Sequence, residues 1–246
     1  NSPFDPAGQA RKNMALTVKH NRLDNRRSLL SGLDNINRQV DSTGLMEGLD
    51  AFEQQAFSLV LSRSQRAFEL KNEDPRVSAL YGGGLGQQML RARRLVEAGA
   101  GFVTVSYGGW DMHGKIEESM RKTSAQLDHA VHALIEDLNQ RSMDRNVLVV
   151  ISGEFGRTPK INKNGGRDHW APLSTLALSG GGLRMGQVIG ESASKVDVPK
   201  TTPIRPSDLM ATVFQVLGVD PKIQFFNEAG RPVYMLEEGR PIRELV

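Results

Sequence analysis

The sequence feature that most constrains the fold is an apolar run at residues 147–151, four of whose five members are β-branched. A short continuous run of this kind is typical of a strand covered on both faces, as in a parallel sheet. The polar loop that follows it carries Glu154, Arg157, Asp168 and His169. Because open α/β sheets bind ligands at the carboxyl ends of their strands, we expect a functional site in this loop.

A second strand is predicted at residues 102–107, where the sequence FVTVSY is rich in β-branched and aromatic residues. It leads into a glycine-rich loop that contains Asp111 and His113. If both strands belong to one parallel sheet, their carboxyl ends lie at the same edge. We therefore expect Asp111 and His113 to lie near the loop that follows residues 147–151.

Helical spacing of apolar residues predicts helices at residues 49–70, 85–98, 119–140 and 206–217. A short strand is expected at residues 174–179, and a closing hairpin or edge tail beyond residue 221. This alternation of strands and helices predicts an α/β fold with a mainly parallel sheet between helices.

The helix at residues 119–140 carries several polar side chains opposite its apolar stripe. Among them are His129, His132 and Asp137. Such residues on an amphipathic helix usually form a solvated surface, so we do not include them in the site. For the helix at 206–217, Ser207 is the expected N-cap.

Length and composition limit the classes of protein to consider. The 246 residues are expected to form a single α/β domain, with residues 1–80 a mainly helical lead-in and residues 81–246 the sheet and site loops. Net charge is only +3 and basic residues are interspersed with acidic ones, which argues against nucleic acid as a partner. The absence of cysteine excludes disulfides and thiolate metal sites. No run approaches the roughly 20 apolar residues of a transmembrane segment.

Gathering carboxylates and imidazoles at one sheet edge costs free energy unless the charges are paired. A divalent cation would offset this cost, since Asp, Glu and His are ligands of zinc, manganese, magnesium and calcium. Internal pairing would also offset it, with Glu154 on Arg157 and Asp168 on Arg167 or His169. The residues alone leave both alternatives open.

Several motifs together resemble one protein family. GEFGRTP and GRDHW, with ARRLVEAG, GWDMHG, LSGGGLRMGQVIG and GRPIRELV, are similar to the bacterial domain of unknown function 1501, whose members look like relatives of alkaline phosphatases and sulfatases. The resemblance covers essentially the whole chain and matches the carboxyl-terminal part of the family pattern. It implies an alkaline phosphatase-like α/β/α sandwich, incomplete at the amino terminus, from an exported periplasmic or extracellular protein.

The same resemblance implies a metal-dependent hydrolase of phosphate or sulfate esters, with a small-molecule or polysaccharide substrate. Asp111, His113, Asp168 and His169 match the metal ligands by position, and the ion would be zinc, calcium or manganese. Glu154 and Arg157 would be the catalytic residues, with Arg157 holding the substrate anion.

Two departures from the superfamily pattern support an alternative. Glu154 and Phe155 stand where an Asp-His pair is expected, and residues 1–48 contain no recognisable nucleophile strand. The missing amino-terminal segment is thus an expected partner. The alternative function is a non-catalytic binding or assembly module with a degraded metal site, and an isomerase or mutase on the same scaffold also stays open.

Overall fold

The computed structural model describes residues 64–246. Its helices are, in chain order, α1 Ser64–Ala67, α2 Pro75–Tyr81, α3 Leu85–Glu97, α4 Ile116–Gln140 and α5 Pro206–Leu217, with a 3-10 helix at Leu70–Asn72. Its strands are β1 Leu148–Ser152, β2 Gly156–Arg157, β3 His169–Trp170, β4 Leu176–Gly180, β5 Gln224–Phe226 and β6 Pro232–Tyr234. Most of the helix predicted at residues 49–70 lies outside the described residues.

The described strands form three antiparallel pairs, so the fold mixes helices with small antiparallel sheets. β1 pairs with β4, β2 with β3, and β5 with β6 as the expected closing hairpin. The predicted mainly parallel sheet is therefore not seen among residues 64–246. The β1 residues are half-buried or exposed, and Val150 is 38% exposed, so the coverage on both faces that was expected of this apolar run is not seen. An apolar run predicts a strand, but its burial and its direction depend on partners far away in the sequence.

Residues 102–107 are not a strand, which corrects the prediction for FVTVSY. Their side chains alternate between exposed and half-buried, as those of a strand do, and Phe102 is 70% exposed. Within the described part of the chain, no backbone hydrogen bond links residues 102–109 to another residue. The β propensity of the segment is present, but a strand also needs a paired neighbour.

The described residues fall into two compact units, one with residues 64–74 and 94–100 and the other with residues 75–93 and 101–246. In the smaller unit, Arg94 forms a 2.7 Å ion pair with Glu73. The larger unit contains the site loops and most of the core. No helix among residues 64–246 is long and apolar enough to cross a bilayer.

The longest helix, α4, packs its apolar stripe into the core of the larger unit. Ala130, Ala133, Leu134 and Leu138 are buried on it, while His129 and His132 are exposed as predicted. Asp137 was expected on the solvated face, and this expectation is wrong because the side chain is 3% exposed.

A buried polar cluster explains the position of Asp137. Its carboxylate accepts a 2.9 Å hydrogen bond from the hydroxyl of Tyr81 and lies 2.9 Å from Nε of Arg93. Arg141, the C-cap residue directly after α4, donates to the other carboxylate oxygen at 2.7 Å. Because a buried carboxylate must be paired, these contacts make its burial possible and connect α2, α3 and α4.

Helix α5 is capped at both ends, and its first turn is bonded to the carboxyl-terminal segment. Its N-cap is Arg205 and not Ser207, with the Asp208 side chain accepting from the Arg205 backbone N–H at 2.9 Å. The other Asp208 oxygen accepts from the Arg240 backbone N–H at 3.0 Å, which attaches the carboxyl-terminal segment to the helix. Gly218 ends the helix in the left-handed conformation, with φ 68°.

Candidate metal site

The first site loop, residues 108–114, carries the side chains of Asp111 and His113 on its exposed side. Met112 is buried at 6% exposure, whereas its neighbours Asp111 and His113 are exposed. The buried methionine anchors the loop, so that the carboxylate and the imidazole project together.

The second site loop runs from Thr158 to Asp168 and connects β2 with β3. In this antiparallel pair Arg157 is directly opposite His169. The Thr158 and Asp168 backbones continue the pairing, since the Thr158 N–H donates to the Asp168 carbonyl at 2.9 Å. Cross-strand neighbours have Cβ atoms about 4.5–5.5 Å apart, so the guanidinium and the imidazole share one face.

Backbone hydrogen bonds join the two loops side by side. The N–H groups of Lys115 and Ile116 donate to the carbonyls of Asn164 and Gly165, at 3.1 and 2.9 Å. In the opposite direction, the Arg167 N–H donates to the Met112 carbonyl at 3.1 Å. The separation of the two loops is therefore set by the main chain.

Asp111, His113 and His169 form a compact cluster with one ligand atom each, all within 4.8 Å of one another. Oδ1 of Asp111 lies 3.1 Å from Nδ1 of His113 and 2.9 Å from Nε2 of His169. The two imidazole rings are 4.9 Å apart between centroids. The structure thus brings together two histidines that are far apart in the sequence.

Arg157 contacts the same carboxylate oxygen, with Nη2 2.7 Å from Oδ1 of Asp111. It also donates to the carbonyls of Trp110 and Arg167, at 3.0 and 3.2 Å. Hydrogen bonds from His169 and then Arg157 lower the pKa of Asp111 from its ordinary 3.8 to about 2. Asp111 is therefore a carboxylate at all physiological pH values.

The internal pairs predicted for this loop are not the ones formed. Arg157 pairs with Asp111, and exposed Glu154 makes no ion pair with another described residue. Arg167 donates to the carbonyls of Thr158 and Pro159 and not to Asp168. Both arginines thus donate hydrogen bonds to backbone carbonyls. Such bonds cannot be predicted from the spacing of charged residues in the sequence.

The remaining predicted residues lie at different distances from the cluster. Asp168 is peripheral, with Oδ1 4.0 Å from Nε2 of His113, and Glu154 is outside the group of potential ligands. Phe155 packs on the His169 ring at 4.3 Å between centroids. The Arg157 guanidinium lies 5.9 Å from the same phenyl ring.

Fold and site together define a protein of helices and small antiparallel sheets with an exposed Asp-His-His cluster. The model of the family described as protein of unknown function (DUF1501) matches residues 3–246, so the chain belongs to that family. This confirms the family predicted from the motifs. No curated protein and no solved structure gives a significant match to the chain.

Proposed function

We propose that the protein binds a divalent metal ion through Asp111, His113 and His169 and hydrolyses phosphate or sulfate esters. The observation that carries the proposal is the convergence of these three ligand atoms, from two separate loops, within 4.8 Å of one another. Two imidazoles and one carboxylate are the ligand set of several catalytic zinc sites.

Two of the three ligand spacings in the cluster fit a small divalent ion, and the two imidazole nitrogens lie within 4.8 Å of each other. Ligand atoms about 2.0–2.1 Å from a tetrahedral zinc ion lie about 3.3 Å from one another. The distances from Asp111 Oδ1 to the two imidazole nitrogens, 3.1 and 2.9 Å, are close to that value. Oδ1 of Asp168 lies 4.0 Å from Nε2 of His113, beyond hydrogen-bond distance, and would orient that imidazole only through its charge.

The cluster is open to solvent, as a site that receives a substrate requires. The side chains of Asp111, His113 and His169 are 70%, 45% and 51% exposed. Catalytic zinc sites use three protein ligands and leave a further position open. A bound metal ion would polarise an ester oxygen or lower the pKa of a water molecule towards about 7.

Arg157 has two roles in this proposal. Its Nη2 group keeps Asp111 ionised and in place. Both Nη2 hydrogens and one Nη1 hydrogen are donated to acceptors in the protein, namely Asp111 and the carbonyls of Trp110 and Arg167. A guanidinium has five N–H donors, and Nε–H and one Nη1–H of Arg157 have no acceptor among residues 64–246, so they could bind an ester anion. Glu154 is exposed two residues before β2 and would act only on a substrate that extends over this turn.

The motif resemblance supports the same activity. The family looks related to alkaline phosphatases and sulfatases, which are metal-dependent ester hydrolases, and it suggests an alkaline phosphatase-like α/β/α sandwich in an exported protein, periplasmic or extracellular. The ion would be zinc, calcium or manganese. Two histidine ligands favour zinc or manganese over calcium, which prefers oxygen ligands.

Metal analysis of the purified protein tests the site directly. We expect about one equivalent of metal in the wild type after exposure to zinc, and loss of stoichiometric binding in His169→Ala. His132→Ala, which removes an exposed histidine from α4, is the matched control and should bind as the wild type does. Wild-type protein without stoichiometric metal would contradict the proposal.

A second candidate function is a non-catalytic binding or assembly module. It is favoured by the contact of Arg157 with Asp111, which neutralises the carboxylate without a metal ion, and by the packing of Phe155 on His169. A panel of phosphate and sulfate esters, assayed with zinc, manganese or calcium, separates the two functions. Turnover that disappears in Asp111→Ala would exclude the non-catalytic module, and its absence with a fully metallated protein would exclude the hydrolase.

A further inference from the structure

Asn162 lies at the centre of the contact between the two site loops, although sequence reasoning did not select it. We propose that Asn162 is a positioning residue that holds His113 and the start of β3 at the separation that a metal ion requires. The inference rests on the proposed metal site for its consequence. The contacts that support it are independent of which ion binds or which ester reacts.

The Asn162 side chain makes four hydrogen bonds, and they divide into two pairs. Its Nδ2 group donates to the His113 carbonyl at 3.1 Å and to Oδ1 of Asp168 at 3.0 Å. Its Oδ1 atom accepts from the backbone N–H groups of Asn164 and Gly166, at 2.9 and 3.0 Å. One amide therefore connects the residue that carries one imidazole to the residue before the other.

The two pairs of bonds have different consequences. The Oδ1 pair closes a local turn over residues 162–166, a common use of asparagine in loops. In the Nδ2 pair, the bond to Asp168 stays within the second site loop, whereas the bond to the carbonyl of His113, 49 residues away in the sequence, crosses between the loops. A residue needed only for the turn would not require the second pair, so the donor side of the amide is what points to positioning.

Gly166 shows how closely the loops approach at this point. A Cβ atom on Gly166 would lie 2.1 Å from the carbonyl carbon of His113 and 2.3 Å from the Gly114 nitrogen. These are backbone atoms, which cannot move aside as a flexible side chain can. The contact surface between the loops is thus main chain against main chain, and Asn162 is half-buried beside it.

The consequence for the site is preorganisation of its ligands. Partners that orient metal ligands typically change metal affinity 10–100-fold when removed. Without the Nδ2 bonds, His113 and Asp168 would be held relative to each other only by the backbone hydrogen bonds between the loops. We therefore expect removal of Asn162 to weaken metal binding by about 10–100-fold without removing any ligand.

The experiment compares Asn162→Ala and Asn162→Ser with Asn164→Ala in the full chain. Serine retains a hydroxyl acceptor for the local turn but is too short to reach His113, so it separates turn formation from positioning. Asn164 is exposed and no side-chain hydrogen bond of its amide to a described residue is found, which makes it a matched control. The readouts are Co²⁺ affinity, the visible spectrum of bound Co²⁺, and amide hydrogen exchange of the metal-free protein.

For both Asn162 variants we expect Co²⁺ affinity to fall about 10–100-fold, with an altered spectrum and faster exchange at residues 112–116. Asn164→Ala should match the wild type in all three readouts. Wild-type affinity and spectrum in both Asn162 variants would overturn the positioning role while leaving the proposed function intact. If the wild type binds no Co²⁺, the proposed function fails, and unchanged amide exchange in the variants would then overturn the positioning role as well.

Discussion

At the scale of single residues, one carboxylate oxygen organises the candidate site. Oδ1 of Asp111 lies within 3.1 Å of nitrogens from His113, His169 and Arg157. An arginine is always charged, so it keeps this carboxylate ionised whether or not the histidines are protonated. The site therefore presents an ionised carboxylate beside two imidazoles.

Replacing Arg157 should raise the pKa of Asp111. In Arg157→Gln we expect the value to rise from about 2 towards the ordinary 3.8, stopping short of it because His169 still donates. Since folding lowers this pKa, the ionised form stabilises the fold above about pH 3.8, and that contribution is lost as the pH falls through about 2. Carbon-13 NMR titration of the side-chain carboxyl measures it.

Lys163→Gln is the matched control for this prediction. This substitution removes one positive charge at an exposed position of the loop between β2 and β3. The pKa of Asp111 should stay near that of the wild type, because a solvent-exposed charge without direct contact is screened. An Asp111 pKa that is equally unchanged in Arg157→Gln would show that the guanidinium contact is not maintained in solution.

At the scale of elements, sequence periodicity located the helices of the described region well. The helices predicted at 85–98, 119–140 and 206–217 correspond to α3, α4 and α5 within three residues at each end. The helix α2 was not predicted, because its seven residues are too few for a clear apolar repeat.

Sheet pairing was much harder to predict than helices. The strand at 147–151 corresponds to β1, but its antiparallel partner β4 and the short pair β2 and β3 depend on contacts between distant residues. The short strands have two residues each, below the length at which alternation is detectable. Asn162 was missed for a related reason, because an amide that bonds to backbone atoms leaves no motif in the sequence.

The start of α5 gives a prediction about an element boundary. Asp208→Ala removes the acceptor for the Arg205 and Arg240 N–H groups, and we expect a loss of about 1 kcal/mol in the free energy of unfolding. These backbone hydrogen bonds lower the pKa of Asp208. Its contribution is therefore present above the ordinary aspartate pKa, about 3.9, and is lost as the pH falls below it.

Urea denaturation at neutral and acidic pH measures this effect. Wild type and Asp208→Ala should differ in stability at pH 7 and converge as the pH decreases below about 3.9. Glu237→Ala, at an exposed position of the carboxyl-terminal segment, should behave as the wild type does. A stability difference that persists undiminished in acid would mean that the Asp208 charge does not stabilise the helix start.

At the scale of the larger unit, the buried cluster around Asp137 connects three helices. Burial raises the pKa of the Tyr81 hydroxyl, so this group stays protonated and donates to Asp137. In Asp137→Ala the side chain of Arg93, 1% exposed, loses the ion pair with Asp137 in the core. Removing one partner of a buried ion pair typically destabilises a protein by about 3–5 kcal/mol.

Thermal or chemical unfolding monitored by circular dichroism tests this prediction. Asp128→Ala removes an exposed aspartate from the same helix and is expected to change stability by less than about 0.5 kcal/mol. Equal stability of the two variants would contradict a stabilising role of the Asp137 cluster. A selective loss in Asp137→Ala would establish that this polar cluster holds the helices together.

The close approach at Gly166 has a consequence for attempts to engineer the protein. The position lies in a loop, where substitutions are usually tolerated, yet any side chain there would push the His113 loop away from its neighbour. In a saturation library selected for metal retention, position 166 should therefore accept almost no replacement, while Gly153, whose added Cβ would meet its nearest atom at 3.9 Å, should accept alanine. Directed evolution of this site should therefore vary the exposed residues around the cluster and leave unchanged the residues at the backbone contact between the two loops.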